Sequence, residues 1–211
     1  MTDVQLKSKA LPLPPKLVHR VADLLIKAEA MGLIRDLGTL GQLNSSLLRE
    51  GLGRISDAGI ATGLVAGLAA TLAGPAGLED PDVAGALDAI LEALERSPLP
   101  DHEWRPMIGL FGVEMLAGLL CISPSSLHRY SKAARPTPDS VADRLHFVAL
   151  VAGDLKGAYN DIGIRRWWQR RRALLDDRAP AELLKGQWSS DEPGPHRVRG
   201  LARSLVWSGA T

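Results

Sequence analysis

The stretch that decides the fold is "LAGLLCISPSSLHRYSK", which runs from Leu116 to Lys132. An apolar helix is predicted to end at Cys121 and a second to begin at Ser123, a good N-cap followed by Pro124, which suits the first helical turn. Two helices joined by about three residues must pack directly against each other. The positions suited to that packing are Leu116, Leu120, Ile122, Leu127 and Tyr130, with the small Ala117 at the crossing.

This pattern resembles the helix-turn-helix motif, in which the second helix enters the major groove of DNA. Cys121 stands where the motif often has glycine, and a residue with a Cβ is less favourable at positive φ. The alternative is two packed helices of a bundle with a polar outer face. On the DNA-binding interpretation, residues early in the second helix reach base edges and the flanking cations bind phosphates. The predicted DNA contacts are Ser123, Ser125, Ser126, His128, Arg129, Lys132 and Arg135.

Composition places the chain among ordinary globular proteins with a basic second half. Of its 211 residues, 45% are hydrophobic and 23% are charged, and one cysteine excludes an intrachain disulfide framework. Residues 1–103 carry 9 Lys/Arg and 14 Asp/Glu, a net charge of −5, whereas residues 104–211 carry 16 and 10, a net of +6. A polyanion is therefore expected to bind the second half. No secretory signal is visible, and a cytoplasmic location is predicted.

Residues 1–100 are predicted to form a helical region for packing or oligomerisation, and the chain is expected to be a homo-oligomer. The uncharged stretch 58–78 is long enough to cross a membrane, and its glycines are spaced as in membrane helix pairs. Alanine and glycine dominate it, so a buried helix or helix pair is favoured and no membrane contact is expected. The next helix is predicted to be capped by Asp80 and to end near Arg96. The first helix is predicted to be amphipathic, with an apolar stripe of Leu17, Val21, Leu24, Leu25 and Ala28.

Residues 101–158 are predicted to form the helix-turn-helix domain, and period-2 strand patterns are absent, so the fold class is all-α. Thr137 is expected to cap the helix that supports the tight pair from behind. Its buried stripe is predicted to comprise Val141, Leu145, Val148, Leu150 and Val151.

Residues 159–211 are predicted to form a small helical interaction domain that includes "RRWWQRRR" (165–172). Trp167 and Trp168 point about 100° apart on a helix, so one is expected in the core and the other at a partner contact. Three interpretations of the arginines remain open: phosphate contacts, contacts with a protein partner, or a solvated basic face.

This C-terminal stretch resembles the Xre/MbcA/ParS-like antitoxins, whose C-terminal domain pairs with RES-domain toxins. The resemblance covers about residues 107–207. It rests on the aromatic pair after Gly163-Ile164, the Leu174-Leu175 turn, the "RAPAELL" segment and a terminal helix with Val198, Leu201 and Leu205. Ala179 replaces a common hydroxyl residue, and Asp176-Asp177 stand where the family often has glycine.

The resemblance implies an antitoxin that represses its own operon and neutralises a RES-type toxin by direct binding. It would itself catalyse nothing. By position, the candidates for the partner-binding face are Arg165, Trp167, Trp168, Arg171, Val206 and Trp207. A stand-alone repressor that binds double-stranded operator DNA through both the helix pair and the basic C-terminal half is the alternative.

Catalysis is not expected on the residues themselves. The five histidines are scattered without ligand spacing, and the nucleophile and phosphate-binding motifs G-x-S-x-G and GxxxxGK[ST] are absent. No metal site and no cofactor are predicted.

Overall fold

In a computed structural model, residues 11–35 and 43–208 are described, with side chains up to Leu205. All the regular structure in these ranges is helical, which confirms the predicted all-α class. The chain forms two compact units: Met1–Ala28 with Leu33–Arg96, and Glu29–Gly32 with Ser97–Thr211.

The described residues of the first unit form four α-helices. They are α1 (Pro15–Ala30, whose last two residues belong to the second unit), α2 (Ser45–Asp57), α3 (Thr62–Ala73) and α4 (Asp82–Glu95). The predicted stripe of α1 is fully buried. Helix α2 was not predicted; it begins after Asn44, whose side chain accepts hydrogen bonds from the Ser46 and Leu47 N–H groups. Helix α4 agrees with prediction, because Asp80 accepts from the Asp82 N–H and the helix ends beside Arg96.

The prediction that the uncharged stretch 58–78 is buried is wrong for most of its length. Within α3 only Val65, Leu68 and Leu72 are buried, and they form one stripe. The other positions are mainly Ala and Gly, which carry little apolar surface, so exposing them to water costs little free energy. Leu64 is the large side chain that α3 leaves exposed.

The second unit is built around one central helix. Its helices are α5 (Pro100–Leu120, divided at Gly112, φ 72°), α6 (Pro124–Ser131), α7 (Asp139–Lys156), α8 (Asp161–Gln169), α9 (Pro180–Leu183) and α10 (Pro193–Ser208). Helix α7 is buried from Arg144 to Leu155, and its predicted stripe lies in the core. Both α5 and α10 pack against it.

The start of α7 differs from prediction. Pro138, not Thr137, is the residue before the helix, and it makes no side-chain capping bond. The Thr137 hydroxyl instead accepts a hydrogen bond from the Trp104 indole N–H at 3.1 Å. The Thr137 hydroxyl, which the local sequence favoured as the cap of α7, is therefore bonded to Trp104 of α5 instead.

Candidate nucleic-acid interface and C-terminal surface

A tight turn links α5 to α6. The Ile122 N–H donates to the Ala117 carbonyl at 3.1 Å, and the Cys121 N–H donates to that of Gly118 at 3.3 Å, the two bonds of a Schellman motif. Cys121 adopts the left-handed conformation (φ 54°, ψ 43°) that glycine favours. The turn occupies only Cys121–Ser123, and the chain direction changes by 116° between the two helices.

Ser123 caps the start of α6. The Ser123 side chain accepts a hydrogen bond from the Ser126 N–H at 3.1 Å, and Pro124 occupies the first turn, so the predicted cap is confirmed. The Ser123 hydroxyl also lies 3.1 Å from that of Ser125 and 2.9 Å from that of Ser126. These hydroxyl groups are gathered at one helix end, and those of Ser123 and Ser125 belong to exposed residues.

Helix α6 has one buried face and one exposed face. Leu127 is 0% exposed, and the half-buried Tyr130 stacks on Trp104 with ring centroids 6.4 Å apart. The Arg129 guanidinium donates to the Ser126 hydroxyl at 3.2 Å. Of the predicted DNA contacts, Ser126 is half-buried; those that lie exposed are Ser123, Ser125, His128, Arg129, Lys132 and Arg135.

The charge of this segment has a single sign. The sequence contains no Asp or Glu between Glu114 and Asp139, and within that interval Arg129, Lys132 and Arg135 are exposed cations. A segment with exposed cations and no carboxylates of its own is suited to an anionic partner.

The predicted partner residues have different environments. Trp167 and Trp168 are 1% and 0% exposed, so the prediction that one of them would be exposed is wrong. Both tryptophan rings have close neighbours. The rings of Phe111 and Trp168 meet edge-on, with centroids 6.2 Å apart, and the Arg172 guanidinium lies 5.7 Å from the Trp167 ring centre.

The remaining partner candidates are split between the interior and the surface. Arg165 is half-buried and donates to the Leu110 carbonyl at 2.7 Å, whereas Arg171 is exposed. Val206 and Trp207 lie outside the residues whose side chains are described.

An exposed loop at 172–178 was not recognised as a surface feature from sequence. Arg172 and Arg178 pair as an isolated β-bridge, and Asp176 and Asp177 both adopt positive φ (56° and 55°). Leu174 is 73% exposed at this loop. The Arg197 side chain of α10 donates to the Leu174 carbonyl at 3.0 Å and to the Asp176 carboxylate at 2.7 Å. This guanidinium holds the pKa of Asp176 below its usual range.

A buried polar cluster behind the turn was also missed. Arg144, 5% exposed in α7, donates to the backbone carbonyls of Leu120 and Trp188 and to the side chain of Gln187. The Trp188 indole N–H donates to the Leu119 carbonyl at 3.0 Å. No local pattern signals such contacts, because they join residues more than twenty positions apart.

One acid–histidine pair joins α5 to α7. His146 Nδ1 lies 2.6 Å from Glu103 Oε1, and both side chains are buried. Burial raises the pKa of Glu103 above its ordinary value, and the hydrogen bond with His146 opposes that effect without cancelling it.

No three His, Cys, Asp or Glu side chains among the described residues are grouped so as to hold a metal ion. In the same ranges, no single helix is long and apolar enough to cross a membrane, although α5 and α6 meet that test as a bent pair by length and composition. Comparison of the chain with protein-family models, curated proteins and solved structures finds no match.

Proposed function

We propose that this protein is a DNA-binding transcriptional regulator that reads an operator with α6. The observation that carries the proposal is the outward face of α6. Serine hydroxyls lie at the start of the helix, and exposed cations lie along it and after it. The sequence has no carboxylate between Glu114 and Asp139.

The geometry of the helix pair supports this role. Helix-turn-helix motifs join two helices by three or four residues at about 90–120°, and here a turn of Cys121–Ser123 joins helices bent by 116°. In such motifs the first residues of the second helix meet base edges. We assign that role to Ser125, Ser126 and His128.

The exposed cations have a different task on this proposal. Arg129, Lys132 and Arg135 bind phosphates, which supply affinity and fix the register of the helix on the duplex. A homo-oligomer would read a palindromic operator with half-sites about one helical turn apart.

We further propose an antitoxin role, in which the protein represses its own operon and neutralises a RES-type toxin by direct binding. The support is the resemblance of residues 107–207 to Xre/MbcA/ParS-like antitoxins. Since both tryptophans of α8 are buried, we assign the toxin contact to the exposed Leu174 and Arg171 instead. A pre-ordered loop loses little conformational entropy on binding.

The alternative is a stand-alone repressor without a toxin. The observation that favours it is the exposure of Arg166, Arg170 and Arg171, which would supply a second phosphate contact.

Two surface variants separate these functions. The test measures binding to duplex DNA from upstream of the gene and co-purification with the co-expressed product of the adjacent gene. Arg129→Ala with Lys132→Ala should weaken DNA binding and leave co-purification intact, and Leu174→Asp should do the reverse. If the wild-type protein binds DNA but no adjacent gene product, the antitoxin role is wrong and the stand-alone repressor is supported. If it binds no DNA, both are wrong.

A further inference from the structure

The segment Leu184–Trp188, between α9 and α10, lies against the turn of the helix pair. The Trp188 indole N–H donates to the Leu119 carbonyl at 3.0 Å, and the Cys121 thiol contacts the Leu184 carbonyl at 3.2 Å. The ring of Trp188 also meets Phe147 of α7 edge-on, with centroids 5.2 Å apart. One short segment therefore touches both the last turn of α5 and the left-handed residue that ends it.

Arg144 joins that segment to the same helix end. Its guanidinium donates to the Trp188 carbonyl at 2.7 Å, to the Leu120 carbonyl at 3.2 Å and to Gln187 Oε1 at 3.0 Å. It also lies 5.7 Å from the Trp188 ring centre. Each of these contacts is to a neutral group.

Stability alone is a poor explanation for this arrangement. A buried cation loses its hydration, and neutral acceptors return only part of that free energy. Two of the carbonyls in this cluster belong to the end of α5, however, and the last carbonyls of a helix have no partner within the helix. Arg144 and Trp188 bind those of Leu120 and Leu119.

A small rotation at the end of α5 would produce a larger displacement at the far end of α6. The eight residues of α6 span about 12 Å at 1.5 Å per residue. A tilt of about 10° at the turn would therefore displace the far end of α6 by about 2 Å. Specific recognition needs groups placed within about 0.5 Å, whereas phosphate attraction tolerates a larger displacement.

We propose that Arg144 and Trp188 are positioning residues that set the orientation of α6 for reading DNA sequence. This rests on the proposed DNA-binding function. They touch no DNA themselves. They hold the carbonyls of Leu119 and Leu120, and through them the turn, in the one geometry that places Ser125 and His128 against base edges. Losing either residue lowers the preference for the operator over other DNA and leaves the non-specific affinity unchanged.

The experiment compares two dissociation constants for each full-length protein. One is for a duplex that the wild-type protein enriches from a random pool, and the other is for a mixed-sequence duplex; their ratio is the discrimination. Trp188→Phe keeps a ring and removes the N–H donor. Trp167→Phe is the matched control, because Trp167 is equally buried and its indole N–H has no hydrogen-bond partner.

We expect Trp188→Phe to lower the discrimination about tenfold, which is the effect of losing one good base contact. The discrimination of Trp167→Phe should stay within about twofold of that of the wild type. The exposed substitution Gln187→Ala removes one acceptor of Arg144 without opening a core cavity, and it should lower the discrimination in the same direction. Arg144→Lys keeps the charge and should retain more discrimination than Arg144→Met. The salt dependence on mixed-sequence DNA should match in all variants.

Equal discrimination in Trp188→Phe, Gln187→Ala and wild type would overturn the positioning role while leaving DNA binding in place. A parallel loss of affinity for both duplexes would also overturn it, since that indicates general destabilisation. A wild-type protein that enriches no duplex and binds none would overturn the DNA-binding function itself.

Discussion

The salt dependence of DNA binding gives the sharpest quantitative prediction. Arg129 lies in α6, and Lys132 is the first residue after the end of that helix. Both are exposed, in an interval without carboxylates. We expect the double substitution Arg129→Ala with Lys132→Ala to remove two phosphate contacts from each protomer that binds.

The size of the effect follows from counterion release. Each phosphate contact contributes about 0.9 to the slope of log affinity against log salt concentration. Two contacts therefore contribute about 1.8. Between about 50 and 200 mM salt, a fourfold change, they account for about a 12-fold change in affinity. For each protomer bound, the fall in affinity over that range should be about 12-fold smaller for the double variant than for the wild type.

Fluorescence anisotropy of a labelled duplex, titrated at several salt concentrations, measures this slope. The control is Arg54→Ala, which removes an exposed arginine of α2 and should leave the slope unchanged. A double variant with the wild-type slope and affinity would refute the assignment of α6 as the DNA-binding helix, whatever the protein does elsewhere.

Three further predictions concern stability. Leu127→Ala should lower the free energy of unfolding by about 2–5 kcal/mol, because the side chain is fully buried between helices, and urea denaturation measures it. Cys121→Val should be about 1–2 kcal/mol less stable than Cys121→Gly in thermal unfolding, because a β-branched residue is strained at φ 54°; equal stabilities would contradict the strain argument. The raised pKa of Glu103 means that the folded chain keeps a proton that the unfolded chain releases, so stability falls as pH rises above about 4.5. The free energy of unfolding of Glu103→Gln should therefore rise relative to that of the wild type as pH increases above about 4.5, because Gln has no proton to release; a pH-independent difference in urea denaturation would contradict this.

Local chemistry predicted the helix pair well. Ser123 and Pro124 determine where α6 begins, since capping depends on neighbouring residues alone. The apolar spacing likewise placed the predicted stripe of α7 in the core, although the helix is buried on all sides from Arg144 to Leu155. Cys121 adopts the glycine-like conformation despite its Cβ, because the surrounding contacts of the turn outweigh the cost of a positive φ.

Long-range packing explains what the sequence did not predict. Trp167 and Trp168 lie side by side on α8, and the buried face of that helix is wide enough to include both of them. Burial of α3 was overestimated because apolar composition does not tell how many neighbours a helix has. The contacts of Arg144 join three distant segments, and no spacing in the chain signals them.

Enrichment of duplexes from a random pool by the purified full-length protein tests the central claim most directly. We expect one enriched sequence, bound with an affinity that falls steeply with salt and is weakened when Arg129 and Lys132 are replaced. A pool that stays random, with no salt-dependent binding of any duplex, would contradict it.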